Sequence, residues 1–153
     1  MKKVAVLIGS ISDKDIVMAS EPYFKFFGIE WELHVLSAHR NPQEVSEFSK
    51  NARKNGFGCL IGGAGMAAHL AGAIKAHSSL PVIGIPMPGG ISNGMDALLA
   101  TVQMPKGVPV ATVAVGKAGA INAAILCAEI FSLENDALAE KLDLFKSNGC
   151  KID

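Results

Sequence analysis

The chain has 153 residues, of which half are hydrophobic and 18% are charged, and its 14 basic residues balance its 14 acidic ones. This length corresponds to a single domain over residues 1–153, and the balanced charge provides no basic field that would favour nucleic acid or a membrane surface. Three cysteines, two of them within apolar runs, are typical of a cytoplasmic protein without a disulfide framework.

Short apolar runs alternate with helical patterns from one end of the chain to the other. The run Val4–Ile8 is too short for a signal peptide or a bilayer span and predicts a buried first strand. All the predicted strands are rich in β-branched residues and are bounded by Gly or Pro: Val4–Ile8, Trp31–Leu36, Cys59–Gly62, Val82–Ile85 and Val110–Val115. The intervening segments predict helices over Asp13–Phe27, Pro42–Asn55, Met66–His77, Asn93–Val102 and Lys117–Leu133.

This alternation is typical of right-handed βαβ units. It predicts an α/β fold with a three-layer, doubly wound parallel sheet of five strands in the flavodoxin-like order. A further helix over residues 134–148 follows the last strand and carries Leu138, Leu142 and Phe145 on one stripe. That stripe needs a surface to cover, which is either an edge of its own sheet or a neighbouring subunit.

Ligands of open parallel sheets bind at the carboxyl ends of the strands, so the loops after the strands are the candidate site. The first loop, Gly9–Asp13, combines a turn, two hydroxyl groups and a helix N-terminus, which together suit an anion. Capping of the following helix by Ser12 or Asp13 explains the same residues without a ligand.

The second loop, Ser37–Pro42, brings an imidazole and a guanidinium together at His39 and Arg40. Imidazole exchanges protons near neutral pH, and the guanidinium fork fits phosphate or carboxylate. The alternative is a solvated loop in which Asn41 caps the next helix.

The third loop contains Gly63, Gly65 and Ala68 in the dinucleotide-binding spacing G-x-G-x-x-A. That fingerprint belongs after a first strand, with an acidic residue at the end of the next one, and here the next strand ends in Ile85-Pro86. The pattern therefore indicates a bare backbone for a flat ligand and no nicotinamide cofactor. The fourth loop, residues 86–94, suits a lid or the rim of a subunit contact, and no residue spacing predicts a metal site.

These loops, in this order, resemble those of the class I N5-carboxyaminoimidazole ribonucleotide mutase family. Gly9–Asp13 is similar to the family's G-S-x-S-D loop, Ser37–Arg40 to its S-A-H-R loop and Ala64–Leu70 to its A-G-x-A-A-H-L loop; the segments Val102–Thr112 and Gly116–Ala124 also match. The chain departs from the family pattern at Met66 (usually glycine), Ala71 (usually proline), Gly89, Ser92, Ala97 and Ala100.

The resemblance implies an isomerase of purine biosynthesis that moves a carboxylate from the exocyclic nitrogen of an aminoimidazole ribonucleotide to ring carbon 4, without metal or organic cofactor. It implies a cytoplasmic homo-octamer in which His39 is the catalytic acid and base. The implied substrate-binding residues are Ser10, Ser12, Asp13, Ser37, Ala38, Arg40, Ala64, Gly65, His69 and Leu70. For His69, simple packing in a helix is equally compatible with the sequence. Alternative functions are a carboxylase that uses dissolved carbon dioxide, a flavodoxin-like flavin electron carrier and a nucleotide-binding regulatory domain.

Overall fold

The computed structural model describes residues 2–152. The strands are β1 (Lys3–Ile8), β2 (Trp31–Val35), β3 (Phe57–Ala64), β4 (Val82–Pro86) and β5 (Ala111–Thr112). The helices are α1 (Lys14–Val17), α2 (Glu21–Phe27), α3 (Pro42–Asn51), α4 (Leu70–His77), α5 (Met95–Val102), α6 (Lys117–Ser132) and α7 (Asp136–Ser147), with 3-10 turns at Ile11–Asp13, Met18–Ser20 and Ile91–Asn93. Within residues 2–152, no helix has both the length and the hydropathy to cross a bilayer.

The strands form one parallel sheet in the order β2-β1-β3-β4-β5, which confirms the predicted fold. Both faces of the sheet are covered. Val4, Val6 and Ile8 of β1 pack against the α2 and α6 side, whereas Ala5 and Leu7 pack against the α3 and α4 side. The chain forms β2 on one side of β1 and then crosses to the other side of β1 to form β3. Because the connections leave β1 and β3 in opposite directions across the sheet, a crevice forms at the carboxyl ends of these two strands.

Two strand glycines bring helices into direct contact with the sheet. A Cβ on Gly62 would lie 2.9 Å from the Cα of Ala71 in α4, and one on Gly84 would lie 2.4 Å from the Cγ2 of Thr101 in α5. Because both positions lack a side chain, α4 and α5 lie closer to the sheet than a larger residue would permit. The start of α4, which borders the crevice, is thereby held at a fixed depth.

The structure differs from the predicted elements where the backbone departs from regular geometry. The helix predicted over Asp13–Phe27 is interrupted by the turn Met18–Ser20, and the new helix starts with Pro22 in its first turn, where a missing N–H is tolerated. The helix predicted from Met66 starts at Leu70, because Met66 has a φ of +51°. The fifth strand pairs over two residues only.

The C-terminal helix α7 covers its own chain. Leu138, Leu142 and Phe145 are buried, and the Phe145 ring packs edge-on against Phe27 at 5.5 Å and Tyr23 at 6.3 Å between centroids. The surface beneath α7 is therefore α2 and α6 of the same chain, and neither a sheet edge nor a neighbouring subunit is needed to bury the stripe.

Candidate active site

The loops that follow β1, β2, β3 and β4 surround a cleft of about 570 Å³ at the carboxyl edge of the sheet, a volume typical of small-molecule sites. Every residue predicted for the site lines this cleft: Ser10, Ser12, Asp13, Ser37, Ala38, His39, Arg40, Ala64, Gly65, His69 and Leu70. Gly9, Met66, Ala67, Pro88, Gly89 and Gly90 line it too and were not among the predicted binding residues. The glycine-rich composition of the fourth loop was the available signal for the last three.

In the first loop, the side chain that caps the 3-10 turn Ile11–Asp13 is that of Ser10. Neither Ser12 nor Asp13, the two residues proposed from the sequence, is the cap. The Oγ of Ser10 accepts hydrogen bonds from the backbone N–H of Ser12 at 3.3 Å and from the Ser12 hydroxyl at 2.9 Å. Asp13 makes no side-chain capping bond, and partial burial raises the pKa of its carboxyl above the ordinary value. Asp13 also lines the cleft, and its carboxyl group is partly desolvated there.

The second loop is a closed turn organised by Ser37. The Oγ of Ser37 accepts from the backbone N–H groups of His39 and Arg40, both at 3.3 Å, and the Ser37 N–H donates to the Oδ1 of Asn41 at 3.2 Å. The side chain of Asn41 is used in this way and does not cap α3. Among residues 2–152 the guanidinium of Arg40 has no hydrogen-bond or ion-pair partner, so it is free to bind an anion.

The third loop brings a second histidine to the first. The backbone N–H groups of Ala68 and His69 donate to the carbonyls of Met66 and Ala67, both at 2.9 Å, and this compact turn precedes α4. The Nδ1 of His69 lies 2.8 Å from the Nε2 of His39, with the ring planes 79° apart. A bond of this length requires one ring to donate a proton and the other to accept it. His69 is exposed and faces the cleft, so the interpretation that it merely packs in a helix is wrong.

The lining of the cleft presents hydroxyl groups, a carboxyl group and a guanidinium, and the paired imidazoles add proton donors and acceptors. This arrangement suits a phosphorylated ligand on which proton transfer takes place. A flavin usually stacks on aromatic side chains, and among the described residues none that lines the cleft is Trp, Tyr or Phe: Trp31 stacks on Phe24 at 5.3 Å, and Tyr23 packs against α7. In the described part of the chain, no three His, Cys, Asp or Glu side chains group as metal ligands.

The chain is similar in sequence to known proteins over nearly its whole length. The profile of the AIR carboxylase family matches residues 3–151. The N5-carboxyaminoimidazole ribonucleotide mutase of Saccharolobus solfataricus is 47% identical over 97% of this chain and 92% of its own, and that of Bacillus subtilis is 45% identical over 95% of this chain and 90% of its own. The crystal structure of Treponema denticola PurE superposes with a TM-score of 0.86 at 28% identity, covering 96% of this chain and 90% of the other.

Proposed function

The chain belongs to the AIR carboxylase family, and from that membership we propose that it is an N5-carboxyaminoimidazole ribonucleotide mutase of purine biosynthesis. The reaction transfers the carboxylate from the exocyclic nitrogen to ring carbon 4. The observation that carries the proposal is the position of His39, hydrogen-bonded to His69 in the cleft and next in sequence to the unpaired guanidinium of Arg40.

The polar residues that line the cleft suit the ribose phosphate. The Arg40 guanidinium and the hydroxyl groups of Ser10 and Ser12 offer donors to the phosphate, since all three line the same cleft. Asp13 would repel a phosphate when ionised, so its carboxyl is better matched to the ribose hydroxyls. The small residues Ala38, Ala64 and Gly65 leave space for the flat aminoimidazole ring.

The chemistry needs one group that first donates and then accepts a proton. His39 as the imidazolium protonates the exocyclic nitrogen, the bond from that nitrogen to the carboxyl carbon breaks, and carbon dioxide is released in the cleft. Ring carbon 4 attacks the carbon dioxide, and neutral His39 then removes the proton from carbon 4. No proton is gained or lost overall. His69 can accept a hydrogen bond from the charged form of His39 and so holds the ring of His39 in position in the cleft.

Turnover of the purified protein tests the proposal. We expect conversion of N5-carboxyaminoimidazole ribonucleotide without bicarbonate, metal or ATP, followed by ultraviolet absorbance of the product. The description of the matching family, AIR carboxylase, favours a second candidate: carboxylation of aminoimidazole ribonucleotide by dissolved carbon dioxide. A rate that requires bicarbonate and the decarboxylated nucleotide would establish that reaction and reject the mutase.

We further propose that the chain forms a cytoplasmic homo-octamer. The burial of α7 within its own chain removes one argument for assembly, but α5 and the turn before it supply another. Met95, Leu99 and Val102 recur at helical spacing on α5 and are 49%, 57% and 47% exposed, and Ile91 in the turn before α5 is 71% exposed. Exposure of several large apolar side chains in one segment is typical of a subunit contact. Light scattering of the full chain at micromolar concentration should give eight subunits, and a monomer would reject the assembly.

A further inference from the structure

The loop between β3 and α4 places an exposed methionine at the edge of the cleft. Met66 has a φ of +51°, and 68% of the residue is accessible to solvent. Its carbonyl accepts the hydrogen bond from Ala68 that closes the turn before His69. The left-handed backbone at position 66 is therefore part of the geometry that carries His69 to the cleft.

This turn explains the backbone at position 66 but not the side chain. Glycine adopts the left-handed conformation without the steric cost that a Cβ imposes. Met66 belongs to neither hydrophobic core, in contrast to Leu70 at the start of α4, which is 1% exposed. Burial in the fold does not compensate for the strain at Met66, and strain of this kind is concentrated at ligand-binding sites.

The rest of the cleft lining indicates what the side chain contacts. Most of the lining residues are small or polar, and the larger apolar ones are Met66, Leu70 and Pro88. Leu70 is fixed in the core and Pro88 is a rigid ring. Met66 alone of these three has a long, flexible side chain, and its thioether makes favourable contacts with aromatic rings.

We propose that Met66 closes over the aminoimidazole ring of the bound nucleotide, holds it against the His39–His69 pair and retains the released carbon dioxide. This inference rests on the proposed function, because it takes the carboxyamino nucleotide as the ligand. It assigns Met66 a role in substrate affinity and in the fate of the carbon dioxide, and none in proton transfer.

Three substitutions separate the backbone from the side chain. Met66→Gly removes both the strain and the thioether, so it should raise the Tm of the unliganded protein by about 2–4 °C. Met66→Ala keeps the Cβ and should leave Tm unchanged. Both should raise KM by about two- to tenfold, the range of a lost thioether–ring contact. Met66→Leu keeps an apolar side chain of similar size but loses the thioether, so its KM should lie between those of wild type and Met66→Ala.

The ratio of 4-carboxy product to released aminoimidazole ribonucleotide is the second measurement. This ratio would not change if Met66 had a purely structural role. Wild type should convert the carboxyamino nucleotide almost wholly to the 4-carboxy product. Met66→Gly and Met66→Ala should release part of it as aminoimidazole ribonucleotide and carbon dioxide, measured after subtraction of the uncatalysed loss. If wild type turns over and Met66→Ala matches it in KM and in product ratio, the inference is overturned while the mutase assignment stands. A smaller assembly of Met66→Ala in light scattering would also overturn it, since the side chain would then serve a subunit contact. Absence of wild-type turnover would reject the proposed function itself.

Discussion

The 2.8 Å hydrogen bond between His39 and His69 permits a quantitative test of how much each ring contributes to kcat. The perturbations are His39→Asn, His69→Leu and the double substitution. Both residues are exposed at the cleft, so neither change should alter folding by much, and the thermal transition of each variant serves as the control.

The expected magnitudes follow from the geometry. His39→Asn removes the group that transfers the proton, which should lower kcat by about 10²–10⁴-fold. His69→Leu removes only the acceptor for the charged form of His39. A hydrogen bond to a charged group contributes about 1.5–3 kcal/mol, and the lower end applies because both rings are exposed to water, so kcat should fall by roughly tenfold. His69→Asn keeps an acceptor oxygen and should cost much less.

Steady-state turnover of the four proteins completes the cycle. If His69 acts only through His39, the double variant is no slower than His39→Asn, and the coupling energy equals the whole effect of His69→Leu. Two effects that simply multiply would show that His69 acts on the substrate independently. The loss of acid–base catalysis typically lowers kcat by more than about tenfold. A His39→Asn variant that retains more than about a tenth of wild-type kcat would therefore refute His39 as the proton carrier.

Three further predictions concern the fold and its ionisation. Gly62→Ala drives a Cβ to within 2.9 Å of the α4 backbone and should destabilise the protein by about 1–3 kcal/mol, whereas Gly9→Ala has no atom within 4 Å and should leave thermal stability unchanged. Burial raises the pKa of Asp13, so the folded chain binds the proton of this carboxyl more tightly than the unfolded chain does, and the ionised carboxyl destabilises the fold at neutral pH. Asp13→Asn should therefore slightly raise Tm at neutral pH. This gain should vanish as the pH falls towards 3.8, the ordinary pKa of the group. Phe145→Ala should cost about 3–5 kcal/mol in chemical denaturation and the exposed neighbour Leu144→Ala less than about 0.5, and equal effects would contradict the packing of α7.

The sheet was predictable because its signal is repeated. Each strand is a short apolar run, and the regular alternation with helices indicates parallel βαβ units, so errors of a few residues in any one element do not change the predicted fold class. The interruption of the first helix was signalled by Pro22, which suits a first turn better than a helix interior. The shortness of β5 had no such signal, because Val110–Val115 is as apolar as the paired strands.

The membership of the cleft was predictable, but its internal contacts were not. His39 follows β2 and His69 follows β3, the two strands that flank β1, and the carboxyl ends of parallel strands share one edge. The bond between the two rings depends on the turn at Met66, whose left-handed backbone is not expected for a methionine. Likewise, the choice of the capping residue depends on the backbone dihedral angles of the loop. Ser10, Ser12 and Asp13 all have side chains that can cap, so the sequence does not distinguish them.

The position of β1 within the sheet has a consequence for synthesis of the chain. β1 is synthesised before both of its partners: it pairs on one side with β2, complete at Val35, and on the other with β3, complete only at Ala64. Until then Val4–Ile8 is an uncovered apolar strand edge, the type of segment that associates with other nascent chains. Parallel pairing of this kind is slow. We therefore expect chaperones that bind exposed apolar segments to improve the yield of newly made protein more than they improve the stability of the folded chain.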